Sequence, residues 1–173
     1  MKAIPRRSRV GMWQLDKMID HINKHSDVSK LTLLEVGSWA GDSAYVFAKR
    51  FKFVVCVDPW KPSKCQWSID YDVKLAEIEF DKLLTICSNI AKTKCRIEEI
   101  SHIFGDKSID VVYIDGEHDY KSVKRDIECM LPKCKSFICG HDYYDNFPDL
   151  IKAVDEIKKP DMIFEDTSWL IKL

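Results

Sequence analysis

The sequence predicts an α/β fold with a doubly wound, mainly parallel sheet of seven strands, helices on both faces and an antiparallel last strand. Short apolar runs, typical of buried parallel strands, alternate along the chain with segments whose apolar residues recur at helical spacing. The last two strand-like runs are joined by too few residues for a parallel crossover. The 173 residues, 46% hydrophobic, favour one domain over 1–173, with a helical lead-in over 1–30.

Strands and helices are expected to alternate along the chain. Pro148 is suited to the first turn of a helix, and Pro132 and Pro160 each end one. Residues 59–70 contain prolines and a serine and are expected to form a loop. The expected helices are 12–24, one from Asp42 or Ser43 to about 50, 76–87, 120–130 and 148–157, and the expected strands are 32–36, 53–57, 94–97, 109–114, 136–139, 162–164 and 169–173.

Charge and composition argue against several classes of protein. The net charge is −1, so neither a nucleic-acid partner nor a membrane partner is expected. The basic cluster of Lys2, Arg6, Arg7 and Arg9 is interpreted as a solvated tail. No apolar stretch is long enough to span a membrane, and no signal segment is visible at the N-terminus, so we expect a cytoplasmic protein.

Seven cysteines without a Cys-x-x-Cys pair are interpreted as reduced, mostly buried thiols. A zinc site built from Cys129, Cys134 and Cys139 is a weaker alternative, because the spacing is unusual and a fourth ligand is lacking nearby.

The first strand runs into a glycine turn, Glu-Val-Gly-Ser-Trp-Ala-Gly-Asp-Ser over 35–43. Gly37 and Gly41 would let a ligand approach the backbone, and Glu35 could accept a hydrogen bond from a ligand ammonium group. The turn is neither the phosphate loop of an NTPase nor the Gly-x-Gly-x-x-Gly pattern of a dinucleotide site. Two glycines in an ordinary strand–helix turn remain the alternative.

The second strand ends at Asp58, just before Pro59. An acid at this place, beside a glycine turn, is suited to hold ribose hydroxyls. The alternative is a cap of a turn or helix.

The fourth expected strand ends at Asp-Gly-Glu-His over 115–118, and the fifth ends at Gly-His-Asp over 140–142. Carboxylates and imidazoles at one sheet edge could hold a metal ion and move a proton. The alternative is an Asp-Gly turn in which Asp115 or Asp119 caps the next helix.

Together these motifs resemble a known family. The turn at 35–43 resembles the first motif of class I S-adenosylmethionine-dependent methyltransferases, which have a Rossmann-like fold. Val-Asp-Pro-Trp at 57–60, Ile-Asp-Gly-Glu-His-Asp-Tyr at 114–120 and Gly-His-Asp at 140–142 are similar to the small-molecule O-methyltransferases that include the macrocin-type sugar enzymes. The resemblance covers roughly 31–173.

The resemblance implies a role for each residue. Glu35, Gly37 and Gly41 would surround the methionine part of S-adenosylmethionine, Asp58 would bind its ribose, and Ser101, in the loop after the third strand, would lie near its adenine. The complete cofactor set is Glu35, Gly37, Ser38, Trp39, Gly41, Ser43, Asp58, Ser101 and Asp115. His118 would be the general base, with Mg²⁺ or Mn²⁺ at Asp115, His141 and Asp142 as an option.

The chain differs from the metal-dependent members of this family at one position, and its function has alternatives. The position of His141 is often acidic in metal-dependent relatives, so the need for a metal is open. The expected partner is a small hydroxylated acceptor, a sugar first of all. The alternative functions are a methyltransferase of RNA or protein and a non-catalytic nucleoside-binding module. The acceptor site is either open or completed by a second subunit of a homo-oligomer. Trp60 and Trp67 are offered as an acceptor platform.

Overall fold

The computed structural model describes residues 9–62 and 72–173, with side chains from Leu15 onward. Strands and helices alternate as the sequence predicts. The helices are α1 Arg9–Asn23, α2 Asp42–Ala48, α3 Val73–Leu84, α4 Ile97–Ile100, α5 Tyr120–Met130 and α6 Pro148–Asp155. The strands are β1 Thr32–Val36, β2 Phe53–Val57, β3 Ile90–Thr93, β4 Ile109–Ile114, β5 Cys134–Gly140, β6 Met162–Ile163 and β7 Trp169–Lys172.

The strands form one seven-stranded sheet in the order β3-β2-β1-β4-β5-β7-β6. Strands β3, β2, β1, β4 and β5 pair in parallel, and β7 is antiparallel to both β5 and β6. This confirms the predicted fold class. The chain order reverses between β1 and β4, and ligands bind at such a switch point in open α/β sheets.

Apolar side chains cover both faces of the sheet. Leu33 on β1 packs with α1, α2 and α3, whereas the next residue, Leu34, packs on the opposite face with α5 and α6. Successive strand residues point to opposite faces, so a strand buried on both sides is apolar at most of its positions. The bounds of β1, β2 and β4 were predicted to the residue for this reason, although Glu35 in β1 and Asp110 in β4 interrupt the apolar runs.

The third strand was predicted wrongly at 94–97. The strand is Ile90–Thr93, and Ile97 begins the short helix α4. As the edge strand of the sheet, β3 is only half-buried along its length, so it lacks the apolar run that marks the inner strands. Cys95 and Ile97 alternate with the basic residues Lys94 and Arg96, a pattern that is also typical of a half-buried strand.

Some predicted helix ends and caps agree with the structure and others do not. Pro148 occupies the first turn of α6, as predicted, but α6 ends at Asp155 and not at Pro160. Asp119 caps α5, so the predicted cap alternative holds for that residue. Part of the expected loop at 59–70, including Trp67, lies outside the described residues. Among the helices described, none is long and apolar enough to cross a bilayer.

Candidate active site

A cavity of about 510 Å³ opens beyond the carboxyl ends of the parallel strands. The turns after β1, β2, β3, β4 and β5 and one face of α5 form its walls. The lining residues are 36–40, 42, 43, 57–59, 61, 95–98, 115–118, 125, 126, 141 and 142. Most of the residues singled out in the sequence therefore meet at one place.

Gly37 allows the turn after β1 to approach the end of β4. Its φ is +89°, and a Cβ atom there would lie 2.2 Å from the carbonyl oxygen of Asp115. Gly41 has a different role, since a Cβ atom on it would meet the side chains of Leu83 and Phe80 at 3.0 and 3.1 Å. Gly37 lines the cavity, whereas Gly41 fits the turn against α3.

Glu35 lies beneath the cavity and is fully buried. Its Oε1 accepts a hydrogen bond from the Ser43 hydroxyl, and its Oε2 accepts one from the Cys56 thiol at 3.5 Å. Burial raises the pKa of this carboxyl to about 7, against the lowering effect of the Ser43 hydrogen bond. Glu35 is not among the lining residues, so its side chain supports the glycine turn from below.

Asp58 holds two turns together at the cavity wall. Its Oδ2 accepts the backbone N–H of Trp39 at 2.9 Å, and its Oδ1 accepts that of Trp60 at 2.6 Å. Burial raises the pKa of the Asp58 carboxyl, although these backbone hydrogen bonds oppose the effect. Each carboxylate oxygen can accept more than one hydrogen bond, so Asp58 can still receive the hydroxyls of a ribose.

The wall beside Asp58 fits a polar nucleoside cofactor. The Ser38 hydroxyl is buried near the Glu35 carboxyl and the Cys56 thiol but makes no hydrogen bond of ordinary length within the part of the chain that the structure describes. Ser38, Trp39 and Ser43 all line the cavity, as expected for residues of the cofactor set. A buried hydroxyl without a partner is costly unless a ligand or water satisfies it.

The ionisable pairs after β4 and β5 meet in one corner of the cavity. His118 Nε2 lies 2.7 Å from Asp142 Oδ2, and His141 Nδ1 lies 2.9 Å from Asp142 Oδ1. The ring of Phe147 stacks on that of His118, with centroids 4.6 Å apart. Asp142 itself has a left-handed backbone with φ 64°, a conformation that residues other than glycine seldom adopt.

The carboxylates and imidazoles in this corner shift the pKa values of one another toward the charged forms. Burial lowers the pKa of His118, but the hydrogen bond to Asp142 and the nearby charge of Asp115 outweigh it, so the pKa is raised. Burial raises the pKa of Asp142, and the two imidazoles reverse this effect and hold it well below its usual range. Asp142 is therefore a carboxylate that orients His118 through Nε2. The other ring nitrogen, Nδ1, is then the one that can take a proton.

The donor atoms of the same corner also fit a cation. One ligand atom each from Asp115, His118 and Asp142 lies within 4.8 Å of the others. Two carboxylate oxygens and one imidazole nitrogen suit Mn²⁺ or Fe²⁺ better than Ca²⁺. The expected set contained His141 in place of His118, and His141 is not part of this group.

Ser101 does not line the cavity. It begins the 3₁₀ turn Ser101–Ile103 after α4, and residues 95–98 form the cavity wall on that side. The expectation placed Ser101 after a strand at 94–97, and the true strand ends at Thr93, so the residues that follow the strand are earlier in the chain.

One wall of the cavity is charged and was not predicted from the sequence. Arg125 contacts Asp126 at 3.1 Å and Glu98 at 3.3 Å, and Arg96 lies 3.9 Å from Glu117. Arg125 and Asp126 lie on α5, where the helical pattern resembles an ordinary solvated face. Only Glu117, within the motif after β4, carried a signal in the sequence.

The deciding comparison is with protein families. The family model described as a methyltransferase domain matches residues 34–143, which contain the glycine turn, Asp58 and both ionisable pairs. The chain belongs to this methyltransferase family. It is therefore a methyltransferase, and the family implies S-adenosylmethionine as the methyl donor. No curated protein sequence matches the chain.

Solved structures of methyltransferases share the fold of this methyltransferase. The O-methyltransferase NovP is 13% identical with a TM-score of 0.65, over 94% of this chain and 77% of that one. Precorrin-6y C5,15-methyltransferase from Geobacter metallireducens is 12% identical with a TM-score of 0.64, over 99% and 90%. An rRNA methylase from Streptococcus thermophilus is 12% identical with a TM-score of 0.54, over 98% and 97%. Because the printed names cover different acceptors, the fold alone does not identify the acceptor.

Proposed function

We propose that this methyltransferase transfers a methyl group from S-adenosylmethionine to a hydroxyl of a small acceptor, a sugar first of all, in the manner of the macrocin-type group. The observation that supports it most is the contact between His118 and Asp142 at the cavity corner, 2.7 Å long. A hydroxyl oxygen is a poor nucleophile until its proton is removed, and an oriented imidazole can remove it.

Each residue has a defined task in the proposed reaction. S-adenosylmethionine would supply the methyl group: the acceptor oxygen would form the new O–C bond in line with the S–C bond that breaks, and S-adenosylhomocysteine would leave as a neutral thioether. Asp58 binds the ribose, and the turn at Gly37 and Ser38 leaves space and a hydroxyl for the rest of the cofactor. Asp142 holds His118 Nε2, so His118 Nδ1 takes the acceptor proton. The pKa of His118, raised by Asp142, favours this transfer.

A divalent cation is an optional part of the proposal. Asp115 and Asp142 would supply its oxygen ligands, and the imidazole of His118 lies in the same group of donor atoms. Such a cation would lower the pKa of an acceptor hydroxyl. The His118 Nε2 atom cannot donate a hydrogen bond to Asp142 and ligate a cation at the same time. Methyl transfer that persists in EDTA would favour the hydrogen-bonded arrangement, and transfer that is lost in EDTA would favour the cation.

Residues 1–173 are proposed to act as one domain with a helical lead-in. The six described cysteines are free thiols, which supports a cytoplasmic protein. The net charge of −1 supports a small-molecule acceptor over nucleic acid. A homo-oligomer, in which a second subunit completes the acceptor site, is the alternative to a monomer with an open site.

Two measurements test the proposal. Calorimetric titration of S-adenosylmethionine, first with EDTA and then with Mn²⁺, should give micromolar binding in both conditions. Transfer of radiolabelled methyl groups to a panel of sugars, a tRNA pool and a protein pool should label sugars only. Absence of cofactor binding would overturn the donor assignment, and labelling of RNA or protein would overturn the acceptor class.

A further inference from the structure

Trp60 connects the two turns that present Asp58 without lining the cavity itself. Its side chain is buried, and its indole Nε1 donates a hydrogen bond to the Trp39 carbonyl oxygen at 2.8 Å. Trp39 in turn donates its backbone N–H to Asp58 Oδ2. The backbone N–H of Trp60 donates to the other oxygen, Oδ1. These three hydrogen bonds form a closed ring around one carboxylate.

The ring holds two unusual backbone conformations. Trp39 has φ 46° and Trp60 has φ 41°, both in the left-handed region that residues other than glycine seldom adopt. Such conformations persist only where surrounding contacts favour them, and they cluster at functional sites. The contacts here converge on Asp58, the proposed ribose ligand.

The Trp60 indole is fixed from the side away from the cavity. The Phe80 ring packs against it with centroids 5.0 Å apart, and Lys92 Nζ lies 4.6 Å from its ring centroid. Lys92 is itself paired with Glu77 at 2.9 Å and with Asp81 at 2.5 Å. The indole is thereby anchored to α3 and β3, two elements outside the cofactor turns.

We propose that Trp60 is a positioning residue, whose indole N–H fixes the Trp39 turn and thereby aims the Asp58 carboxylate at the cofactor ribose. The inference rests on the proposed role of Asp58. It assigns Trp60 to cofactor affinity, in place of the acceptor platform expected from the sequence, because its ring is buried against Phe80 and Lys92.

A double-mutant cycle on the full chain tests this role, with S-adenosylmethionine as the calorimetric probe. Trp60→Phe keeps an aromatic ring for Phe80 and Lys92 but removes the N–H. One lost hydrogen bond should weaken cofactor binding about fivefold. In an Asp58→Ala background the same substitution should change the affinity by less than about twofold, because the carboxylate that it aims is absent.

The controls separate positioning from stability. Trp169→Phe also removes a buried indole N–H, in the opposite core, and should leave cofactor affinity unchanged. Equal weakening by Trp60→Phe in both backgrounds, or no weakening in the wild-type background, would overturn the inference. If Trp60→Phe does not unfold cooperatively, Trp60→Leu, which also lacks the indole N–H, replaces it in the cycle with the same two outcomes. Wild-type protein that fails to bind the cofactor would instead overturn the donor assignment on which the inference rests.

Discussion

At the scale of single residues, the active-site corner depends on how Asp142 divides its two oxygens between two imidazoles. Oδ2 contacts His118 Nε2 and Oδ1 contacts His141 Nδ1. Because both oxygens have a partner that favours the charged form, the carboxylate stays ionised, and its contact with Nε2 fixes the orientation of the His118 ring. An Asp–His pair of this kind fixes which ring nitrogen accepts a proton. Removing the imidazole should therefore affect the transfer of the methyl group and not the binding of its donor.

His118→Ala should lower the methyl-transfer rate at least about 100-fold, the smallest effect usual for a general base. Affinity for S-adenosylmethionine should stay within about twofold. Because the base must be unprotonated and the pKa of His118 is raised, the wild-type rate should increase with pH above 6.5. Radiolabel transfer at several pH values and calorimetry check both statements.

The exposed His102, on the 3₁₀ turn, is the matched control. His102→Ala should keep the wild-type rate and pH profile. Full activity of His118→Ala would show that another group removes the proton.

Glu35 should make the free energy of unfolding depend on pH. Its pKa in the folded protein is about 7, above the ordinary value of 4.5. A raised pKa contributes stability that is fully present below pH 4.5 and lost as pH rises through 7. Glu35→Gln keeps an oxygen for the Ser43 hydroxyl and removes the charge. At pH 8 the variant should exceed the wild type by up to about 3 kcal/mol.

Urea unfolding at pH 5, 6, 7 and 8 measures this difference. The gap between Glu35→Gln and wild type should widen from pH 5 to pH 7 and level off between pH 7 and pH 8. The exposed Glu128 on α5 provides a control, since Glu128→Gln should track the wild type. Parallel pH curves for Glu35→Gln and wild type would contradict the prediction.

At the scale of elements, the site depends on the close approach of the turn after β1 to the end of β4. Val36 pairs with Ile114 in register, and Gly37 then crosses directly over the Asp115 carbonyl. The two turns that carry the proposed cofactor and catalytic residues are thus in contact through backbone atoms. A side chain at position 37 would force them apart.

Gly37→Ala should destabilise the fold by more than about 3 kcal/mol, because a left-handed φ and a close backbone contact are combined. The new Cβ atom would lie 2.2 Å from the Asp115 carbonyl oxygen. Urea denaturation measures the change. Gly105→Ala is the control, since its Cβ atom would meet only Ser108 at 3.8 Å. Comparable stability of the two variants would show that β1 and β4 can separate at no cost.

At the scale of the whole molecule, the cavity is built by five separate turns, so a ligand in it would link most of the sheet. A ligand that binds only the folded state at a concentration of 100 Kd adds about 2.7 kcal/mol. For a chain of 173 residues this corresponds to a rise in Tm of about 5 to 10 °C. S-adenosylmethionine should produce this rise in a thermal scan.

Asp58→Ala should reduce that rise by more than half at the same ligand concentration, because the ribose loses its acceptor. Asp166→Ala, at the β6–β7 turn away from the cavity lining, should keep the full rise from its own baseline. An equal shift in wild type and Asp58→Ala would remove Asp58 from the cofactor site.

The sequence by itself determined the order and type of the elements apart from the short helix α4, the antiparallel end of the sheet and the turns that carry polar residues. Inner strands such as β1 and β4 are buried on both faces, and this burial leaves largely apolar runs that can be recognised in the sequence. The carboxyl ends of parallel strands share one edge, so residues as distant as Asp58 and Asp142 were expected to meet, and both line one cavity.

Only the tertiary structure decided which of those residues face the cavity. Glu35 is turned beneath it, and Ser101 is displaced because the edge strand β3 lies earlier than its weak pattern indicated. Arg125 lines the cavity from a face of α5, although a charged residue on a helix face is usually exposed to solvent. The local sequence pattern predicts which residues of an element are buried, because burial requires apolar side chains. The partner of a charged side chain lies on an element that is distant in the sequence, so its identity depends on tertiary packing and cannot be predicted from a local pattern.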